Sequence, residues 1–348
     1  MTSEKIDKQI VDDELLNTLR LISPGTGLRK SIDNISRAGT GALIVVGNID
    51  KLKPILSGGF EVNCKFTPQR VVELCKMDGA VIIDDDSNRI IYANVLLIPD
   101  PSIPSEETGT RHQAAERTAR QTKQLAISIS EKKKTVNLYY GNMKYALRDT
   151  EELLNRAAEE SRMLEKHKEV FKELIQKLNF LEFSNLASLN DIALAVQRAE
   201  IISRISDIIK KYIIQLGREG ELIKIQLKEL IKGIEDEELL ILKDYSKRDF
   251  FTTKVELYDL TLEELIDSKK ILEIMGYIGD EEQAIAKGYR MLNKTSLSKE
   301  QISDIISKFG NFNRISAASS EELLSIFDDE KIFNFQRELN KIKENTVF

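Results

Sequence analysis

The chain has no tryptophan, two cysteines and two histidines among its 348 residues, and all six prolines lie before residue 105. Cys64 and Cys75 show no CxxC or other metal-ligand spacing, which favours a reducing, cytosolic setting over a disulfide framework. Scarce proline, 41% hydrophobic residues and 31% charged residues are typical of a soluble, helix-rich protein with real cores. The sequence therefore predicts a cytoplasmic protein of two or three domains.

Long apolar stretches are also missing. No apolar run approaches the length of about 18 residues that a membrane span needs. Residues 1–13 alternate in charge and lack the apolar centre of a signal peptide. The net charge of −6 argues against a globally basic nucleic-acid-binding protein, although a local basic patch stays open. We therefore predict a protein that does not associate with membranes.

The spacing of apolar residues divides the chain into three sections, which we predict to be domains: 1–148, 149–280 and 281–348. In the first section, short apolar runs alternate with helical patterns, which predicts an α/β domain with a mixed sheet flanked by helices. The second lacks proline and repeats the i, i+3, i+4 spacing, which predicts an all-α spine of three or more long helices. The third carries two capping-box patterns, Ser298 with Gln301 and Ser319 with Glu322, which predict short helices.

Two segments of the first section suggest nucleotide chemistry. Thr110, Arg111 and His112 place a hydroxyl, a guanidinium and an imidazole side by side where a helix is predicted to begin. Arg111 offers a planar fork of donors, and Thr110 can cap the helix, whose free N–H groups add positive potential. This cluster suits a polyphosphate. Upstream, Asp78 and Gly79 lie between a helix end and a core strand, where a carboxylate can bind a metal ion or act as a base.

Beyond these residues, six short segments of the first section form a recognisable series: Arg37-Ala38-Gly39-Thr40-Gly41, Gly58-Gly59-Phe60, Phe66-Thr67-Pro68, Ala93-Asn94-Val95, Ile103-Pro104 and Glu107-Thr108-Gly109. With them the chain resembles the diadenylate cyclases of the DNA integrity scanning type, the DisA family. The resemblance is dense in the first section and rests on helical content in the second. The third section is similar to the family's helix-hairpin-helix module.

The resemblance implies that two ATP molecules are joined into cyclic di-AMP with release of two pyrophosphates, helped by Mg²⁺ or Mn²⁺, in DNA-integrity signalling. Each 3′-hydroxyl must attack the α-phosphate of the other ATP, so the reactants must be held in line. One site holds one ATP, hence two identical sites must face each other across a twofold axis of a homo-oligomer. The resemblance implies an octamer.

The family pattern also assigns residue roles. Asp78, Arg111 and His112 are the implied catalytic residues, and Asp78 would bind the metal ion or polarise the 3′-hydroxyl. Gly79 would line the nucleotide, and Leu97 would lie against the adenosine. The triphosphate would contact the side chains of Thr110, Arg111 and His112. It would also contact the backbones of Gln113 and Ala114, and Ser130 is a further implied member of the site.

The chain departs from the family pattern at Gln113, where the family usually shows a second arginine after Arg-His. One phosphate-facing charge is therefore missing. Either activity is weakened, or a neighbour such as Arg117 or Lys123 substitutes. These two outcomes keep an alternative open, a nucleotide-binding interaction protein with reduced catalysis.

The third section departs from the pattern in its hairpin turn, which reads Ile326-Phe327-Asp328-Asp329-Glu330. Family hairpins use glycine-containing turns to bring backbone N–H groups to DNA phosphates. Here glycine is absent and three acidic residues stand in its place. We therefore predict weak DNA binding or none, which disfavours a third alternative, a branched-DNA sensor.

Overall fold

The computed structural model describes residues 18–278, 284–324 and 326–346. The predictions for residues 1–13 and for a domain boundary between 280 and 281 lie outside these residues. By internal contacts the chain forms two compact units, one of Met1–Ala158 with Lys210–Lys224 and one of Glu159–Ile209 with Ile225–Phe348. The division into three domains stays a prediction.

A mixed sheet forms the centre of the first unit. Its strands follow the order β2-β5-β4-β1-β6-β7-β8, and β3 also pairs with β5. Among the strand pairs of the described residues, the pairing of β1 with β4 is parallel and the others are antiparallel. The predicted mixed sheet is confirmed. The strands are β1 (Ala42–Val46), β2 (Leu56–Ser57), β3 (Phe60–Lys65), β4 (Ala80–Ile83), β5 (Arg89–Leu97), β6 (Leu125–Ile129), β7 (Val136–Tyr140) and β8 (Met143–Ala146).

Helices cover both faces of this sheet, as predicted. On one face, helices α1 and α3 contribute Leu28, Ile32 and Val71 to a core that includes alternate residues of the central strands. On the other face, α4 contributes Ala115 and Ala119 to a second core. Central strands buried on both faces explain the continuous apolar runs in the sequence. The helices are α1 (Gly27–Ala38), α2 (Ile49–Leu52), α3 (Pro68–Leu74) and α4 (Thr110–Thr122).

Local capping chemistry sets several of these boundaries. The Thr67 side chain accepts from the backbone N–H of Arg70, and Pro68 is the first helical residue of α3. A threonine before a proline predicts a helix start at this point, and the structure confirms it. The apolar spacing that follows predicts a helix as far as Asp78, but α3 ends at Leu74. Strands β2, β3 and β8 were not predicted, because they are short or partly exposed and lack a continuous apolar run.

The remainder of the chain is helical, as predicted. The apolar spacing over residues 222–242 predicts one helix, but the structure has two, because Gly233 adopts a left-handed conformation between them, with φ of 78°. No helix within the described ranges is long and apolar enough to cross a membrane. The helices are α5 (Thr150–Phe183), α6 (Leu189–Leu216), α7 (Glu221–Ile231), α8 (Ile234–Tyr245), α9 (Phe250–Tyr258), α10 (Leu262–Ile266), α11 (Ser268–Ile274), α12 (Tyr289–Leu292), α13 (Lys299–Phe309), α14 (Phe312–Ala317), α15 (Ser320–Leu323) and α16 (Asp329–Thr346).

Both predicted capping boxes occur in the C-terminal helices. The Ser298 side chain accepts from Gln301 at the start of α13, and Ser319 accepts from Glu322 at the start of α15. Gly310 ends α13, as its position after a helical run predicts. These helices enclose a small core of their own.

Candidate active site

The predicted site residues come from separate segments that meet along one edge of the sheet. Because β1 and β4 are parallel, they begin at the same edge, where Gly41 and Asp78 lie just before them. β6 and β5 run antiparallel to these strands and end at that edge, at Ser130 and Leu97. The register pairs that fix this edge are Leu43 with Ala80, Ala42 with Ile129, and Ala80 with Val95.

Gly79 is confined by the backbone of β5. Its φ is +93°, and a Cβ there would lie 2.8 Å from the carbonyl carbon of Asn94 and 2.9 Å from Val95 O. Gly59 approaches the same place, since its Cβ would lie 2.7 Å from Ala93 O. Asn94 itself has φ of +54°. The two glycines therefore pack against an irregular turn of β5, and this contact fixes the bend that presents Asp78.

The Asp78 carboxylate is exposed and has no hydrogen bond or ion pair within the part of the chain that the structure describes. The same residues contain no cluster of three His, Cys, Asp or Glu side chains that could enclose a metal ion. Mg²⁺ is usually bound by one or two carboxylates together with substrate phosphates. A lone free carboxylate therefore fits a cation that arrives with ATP, and not a resident, all-protein metal site.

The N-cap of helix α4 lies one residue before Thr110, the cap that the sequence predicts. Gly109 is the N-cap, no side chain caps the helix, and Thr110 is an exposed first helical residue. The prediction that Thr110 caps is therefore wrong. The N–H of Gln113 donates to Gly109 O at 2.8 Å and is therefore engaged within the helix, and the backbone contact of Gln113 with a nucleotide stays a prediction. The first-turn N–H groups before Gln113 have no partner within a helix and are the donors open to an anion.

The Arg111 guanidinium lies over Gly41. A Cβ on Gly41 would lie 1.9 Å from Arg111 Nη1, so this space exists only because residue 41 lacks a side chain. Burial raises the pKa of the nearby Cys75 thiol to about 12, and the positive charge of Arg111 opposes that rise. No hydrogen bond or ion pair of the guanidinium occurs among the described residues. Its fork of donors is therefore open to a ligand.

His112 belongs to a network that the sequence did not predict. Its Nδ1 lies 3.2 Å from the Tyr139 hydroxyl oxygen. The Tyr139 hydroxyl donates to Glu107 Oε1 at 2.8 Å, and Lys144 Nζ lies 2.5 Å from the same oxygen. Burial opposes ionisation of Glu107, but hydrogen bonds from Lys144 and Tyr139 outweigh it and lower the pKa of this carboxyl. Glu107 is therefore an anion that accepts from both neighbours.

Burial is also the largest influence on the pKa of His112, which lies below its usual range. Glu107 raises this pKa, whereas the positive charges of Arg111, Lys144 and Lys133 lower it. Without a ligand the ring is therefore neutral at pH 7. The surroundings of His112 carry an excess of positive charge that suits a polyphosphate.

The loop before α4 is fastened along the outer face of that helix. Gln113 Nε2 donates to Glu107 O at 2.7 Å, and Arg117 Nε donates to Ile103 O at 2.9 Å. Further bonds join Ser105 to Glu116 and Arg120 to Pro104. The Gln113 side chain therefore holds the segment that carries Glu107.

The two substitutes predicted for the missing arginine do not fit this geometry. Arg117 is bound to the loop, and Lys123 lies at the far end of α4, about 15 Å from Gln113 by the helical rise. Lys133 is better placed, since its charge reaches His112. Ser130 shapes the turn that carries it, because its Oγ accepts from the Lys133 N–H at 3.2 Å. Ser130 thus has an observed structural role beside its predicted ligand role.

Leu97 lies in the core instead of on an open surface. It is 7% exposed and pairs with Leu56 across β5 and β2, whereas its neighbours Leu96 and Ile98 are 62% and 54% exposed. Ala114 is half-buried against the same core. Contact of Leu97 with adenosine stays a prediction, and the exposed neighbours offer more apolar surface.

Sequence reasoning missed five residues that surround the predicted ones: Gly41, Glu107, Lys133, Tyr139 and Lys144. Gly41 and Glu107 lay inside the recognised segments, so a signal for them was present. Tyr139 had the pattern of an ordinary strand residue, and Lys144 lies in a strand that was not predicted. Their roles depend on pairing between strands, which a single sequence does not state.

Comparisons with known proteins identify the family of the chain. A family model described as the DisA bacterial checkpoint controller nucleotide-binding region matches residues 29–144, and one for the linker region of the same controller matches residues 147–284. A DNA integrity scanning protein DisA from Symbiobacterium thermophilum is 43% identical over 310 residues, 88% of this chain and 88% of that protein. The chain belongs to the DisA family. Similar DisA proteins from Clostridium perfringens and Carboxydothermus hydrogenoformans are 40% and 39% identical, over 91% and 97% of this chain and 91% and 99% of their own lengths.

The resemblance drawn from the sequence segments is therefore confirmed. Every residue of the candidate site, from Gly41 to Lys144, lies within the part that the nucleotide-binding model of the DisA family matches. This membership supports a nucleotide-binding protein of the diadenylate cyclase and DNA-integrity-scanning class.

Proposed function

We propose that the chain is a diadenylate cyclase that condenses two ATP molecules into cyclic di-AMP and releases two pyrophosphates. The observation that carries this proposal is the set of open groups at one sheet edge. The Asp78 carboxylate, the Arg111 guanidinium and the first-turn N–H groups of α4 have no competing partners among the described residues. Complementary charges that are left open in this way suit a metal–nucleotide complex.

In this mechanism each residue binds or orients. Arg111, Lys133 and the start of α4 hold the triphosphate, which places the α-phosphate for in-line attack. Asp78 would hold Mg²⁺ or Mn²⁺, which when bound would offset charge on the phosphates and the leaving pyrophosphate. Asp78 also lies where a 3′-hydroxyl from a second nucleotide can be polarised.

One chain offers one such site, so the proposed reaction needs a second copy whose site faces the first. The exposed apolar side chains Phe60, Leu96 and Ile98 flank the Asp78 turn and would be covered by nucleotide or by that copy. We therefore propose a homo-oligomer with facing sites, and the family resemblance suggests an octamer.

A role as a DNA sensor has less support. The Asp328 Oδ1 accepts from the backbone N–H of Lys331 at 2.9 Å, at the start of α16. The carboxylate thus binds a backbone N–H at the start of a helix. In a glycine-containing turn, an N–H of this kind would be open to a phosphate. Two further acids, Asp329 and Glu330, follow it. We propose that DNA recognition by this segment is weak.

The proposed function is tested by incubating the full chain with ATP and Mn²⁺ or Mg²⁺ and separating the products by chromatography. We expect cyclic di-AMP and pyrophosphate. The matched variant Asp78→Asn keeps side-chain size but removes the charge, and it should lose on the order of 10²-fold or more in rate. Asp78 is exposed, so circular dichroism and gel filtration of the variant should match the wild-type protein.

Two results would contradict the proposal. Unchanged turnover by a folded Asp78→Asn protein would remove Asp78 from the reaction. Tight ATP binding by the wild-type protein with neither cyclic di-AMP nor pyrophosphate formed would favour the alternative, a nucleotide-bound interaction protein with reduced catalysis.

A further inference from the structure

Nδ1 of His112 is bound by a chain of hydrogen bonds that nucleotide binding alone does not require. Nδ1 lies 3.2 Å from the Tyr139 hydroxyl, which donates to Glu107 at 2.8 Å. Tyr139 is 1% exposed, so water does not compete for its hydroxyl. Lys144 pairs with the same Glu107 oxygen. The ring therefore rests on a built, buried support.

This chain of bonds determines which ring nitrogen carries the proton. An ionised carboxylate can only accept, so the single hydroxyl hydrogen of Tyr139 goes to Glu107. The Tyr139 oxygen can then only accept from His112, which requires a hydrogen on Nδ1. In a neutral ring Nε2 then carries no hydrogen. The network thus selects one tautomer.

The unprotonated nitrogen lies at the amino end of α4. His112 Cδ2, which is bonded to Nε2, lies 3.5 Å from the position that a Cβ on Gly109 would occupy. Gly109 is the N-cap, beside the open N–H groups of the first turn. A polyphosphate placed there offers only acceptor oxygens to Nε2. Two facing acceptors repel each other unless a proton comes between them.

We propose that Tyr139 and Glu107 are positioning residues that present Nε2 of His112 to the nucleotide, and that the polyphosphate binds with uptake of one proton from solvent onto this nitrogen. The inference rests on the proposed nucleotide site. The proton on Nδ1 stays with the ring, which becomes an imidazolium that donates to Tyr139 and to a phosphate oxygen. The charged and titratable groups that face the ring are Glu107, Arg111, Lys133, Tyr139 and Lys144.

The pH dependence follows from linkage. In the free protein the pKa of His112 is lowered, first by burial and then by its cationic neighbours. A bound polyphosphate reverses the sign of the local field and raises this pKa. The affinity that the imidazolium contributes is therefore complete below the free-protein pKa and is lost as pH rises through the pKa of the complex. Between these two values, affinity falls about tenfold per pH unit for each proton taken up.

The test is calorimetric titration of the full chain with 3′-deoxyATP and Mg²⁺ at pH 7.5, in two buffers with different ionisation enthalpies. This nucleotide lacks the attacking hydroxyl, so binding is measured without turnover. The wild-type protein should take up between about half and one proton per nucleotide. Tyr139→Phe should bind with much less uptake, because the freed ring can place its hydrogen on Nε2. The matched variant Tyr140→Phe alters the next residue, which packs against the opposite core, and should behave as wild type.

Nucleotide binding by the wild-type protein without proton uptake would overturn the inference, as would equal uptake by wild type and Tyr139→Phe. If Tyr139→Phe does not fold, nitrogen NMR of labelled histidine in the wild-type protein decides, with His167→Gln to assign the two ring signals. We expect Nδ1 protonated and Nε2 unprotonated, and the opposite tautomer refutes the proposal.

Cyclic di-AMP formation without uptake overturns this inference alone, whereas uptake without product overturns only the proposed function. Failure to bind the nucleotide overturns both.

Discussion

Two arginines show how differently the two compact units use charge. Arg290 in the second unit is fully buried, and its side chain is bound to Glu182, Glu237 and Asn179. Arg111 in the first unit is half-buried and lies over Gly41 with its donors open. The Arg290 guanidinium makes four hydrogen bonds within the protein. The Arg111 guanidinium instead keeps its N–H donors available to a ligand.

The surroundings of Arg290 confirm that its cluster is closed. Asp244 accepts three backbone N–H bonds, from Gly288, Tyr289 and Arg290, at the start of α12. Burial and the negative charge of Glu182 raise the pKa of Asp244 to about 7, while these backbone bonds oppose the rise. A closed network of this kind stabilises a fold, whereas an open one is available to a ligand. The number of unused donors and acceptors therefore distinguishes charged residues that stabilise the fold from charged residues that can bind a ligand.

The largest expected effect comes from breaking the closed cluster. Arg290→Met leaves Glu182 and Glu237 without their cationic partner in a buried place and should lower the free energy of unfolding by about 3–5 kcal/mol. Urea denaturation of the full chain measures this. The control Arg248→Met removes an exposed ion pair with Glu256 and should change stability little. Equal stability of the Arg290→Met and wild-type proteins would show that the cluster is not closed.

A smaller effect is expected from filling the space under the open arginine. Gly41→Ala places a methyl group where the Arg111 guanidinium lies, so the flexible arginine must move while the backbone stays. Nucleotide affinity should fall about tenfold, close to the lower bound for one hydrogen bond to a charged group. Fluorescence anisotropy with a labelled ATP measures it, and Arg111→Ala provides the matched background.

In the Arg111→Ala protein, Gly41→Ala should have no further effect, because the two changes act through one contact. Additive losses in the double variant would mean that Gly41 acts on the nucleotide without Arg111. The stability of both variants should remain near that of the wild-type protein.

The smallest expected effect concerns DNA. The C-terminal turn carries three acidic residues, and one backbone N–H at the helix start already donates to Asp328. The turn therefore offers little attraction to phosphate. The full chain should bind a four-way DNA junction weakly or not at all at physiological salt. A gel-shift titration at several salt concentrations checks this. Submicromolar, salt-sensitive binding would show that this end of the molecule also carries open charge.

Much of the fold could be predicted because its signals are local. The start of α3 at Thr67-Pro68 and the capping boxes at Ser298 and Ser319 depend on residues within one helical turn. Apolar runs in β1 and β4 marked a sheet with two covered faces. The break at Gly233 was missed because an apolar pattern continues on both sides of it.

The candidate site was predictable only in part, for a related reason. Asp78, Arg111 and His112 stood in recognisable segments, whereas the support of His112 by Tyr139 joins residues 27 positions apart. The pairing of β7 with β6 and β8 places that tyrosine. The sequence likewise could not show that Gln113 turns toward the Glu107 carbonyl, since this depends on how the loop lies along α4.

The strands β6, β7 and β8 form one continuous meander, and its residues 130–144 contain the turn with Lys133 and the strand residues Tyr139 and Lys144. A single short stretch of sequence thus carries two of the four charged residues that act on the pKa of His112, Lys133 and Lys144, while Glu107 and Arg111 come from the segment at α4. Because of this separation, residues 130–144 could be exchanged as one segment. Exchanging it between related chains would retune the acidity of the imidazole while leaving the carboxylate and the guanidinium of the recipient in place.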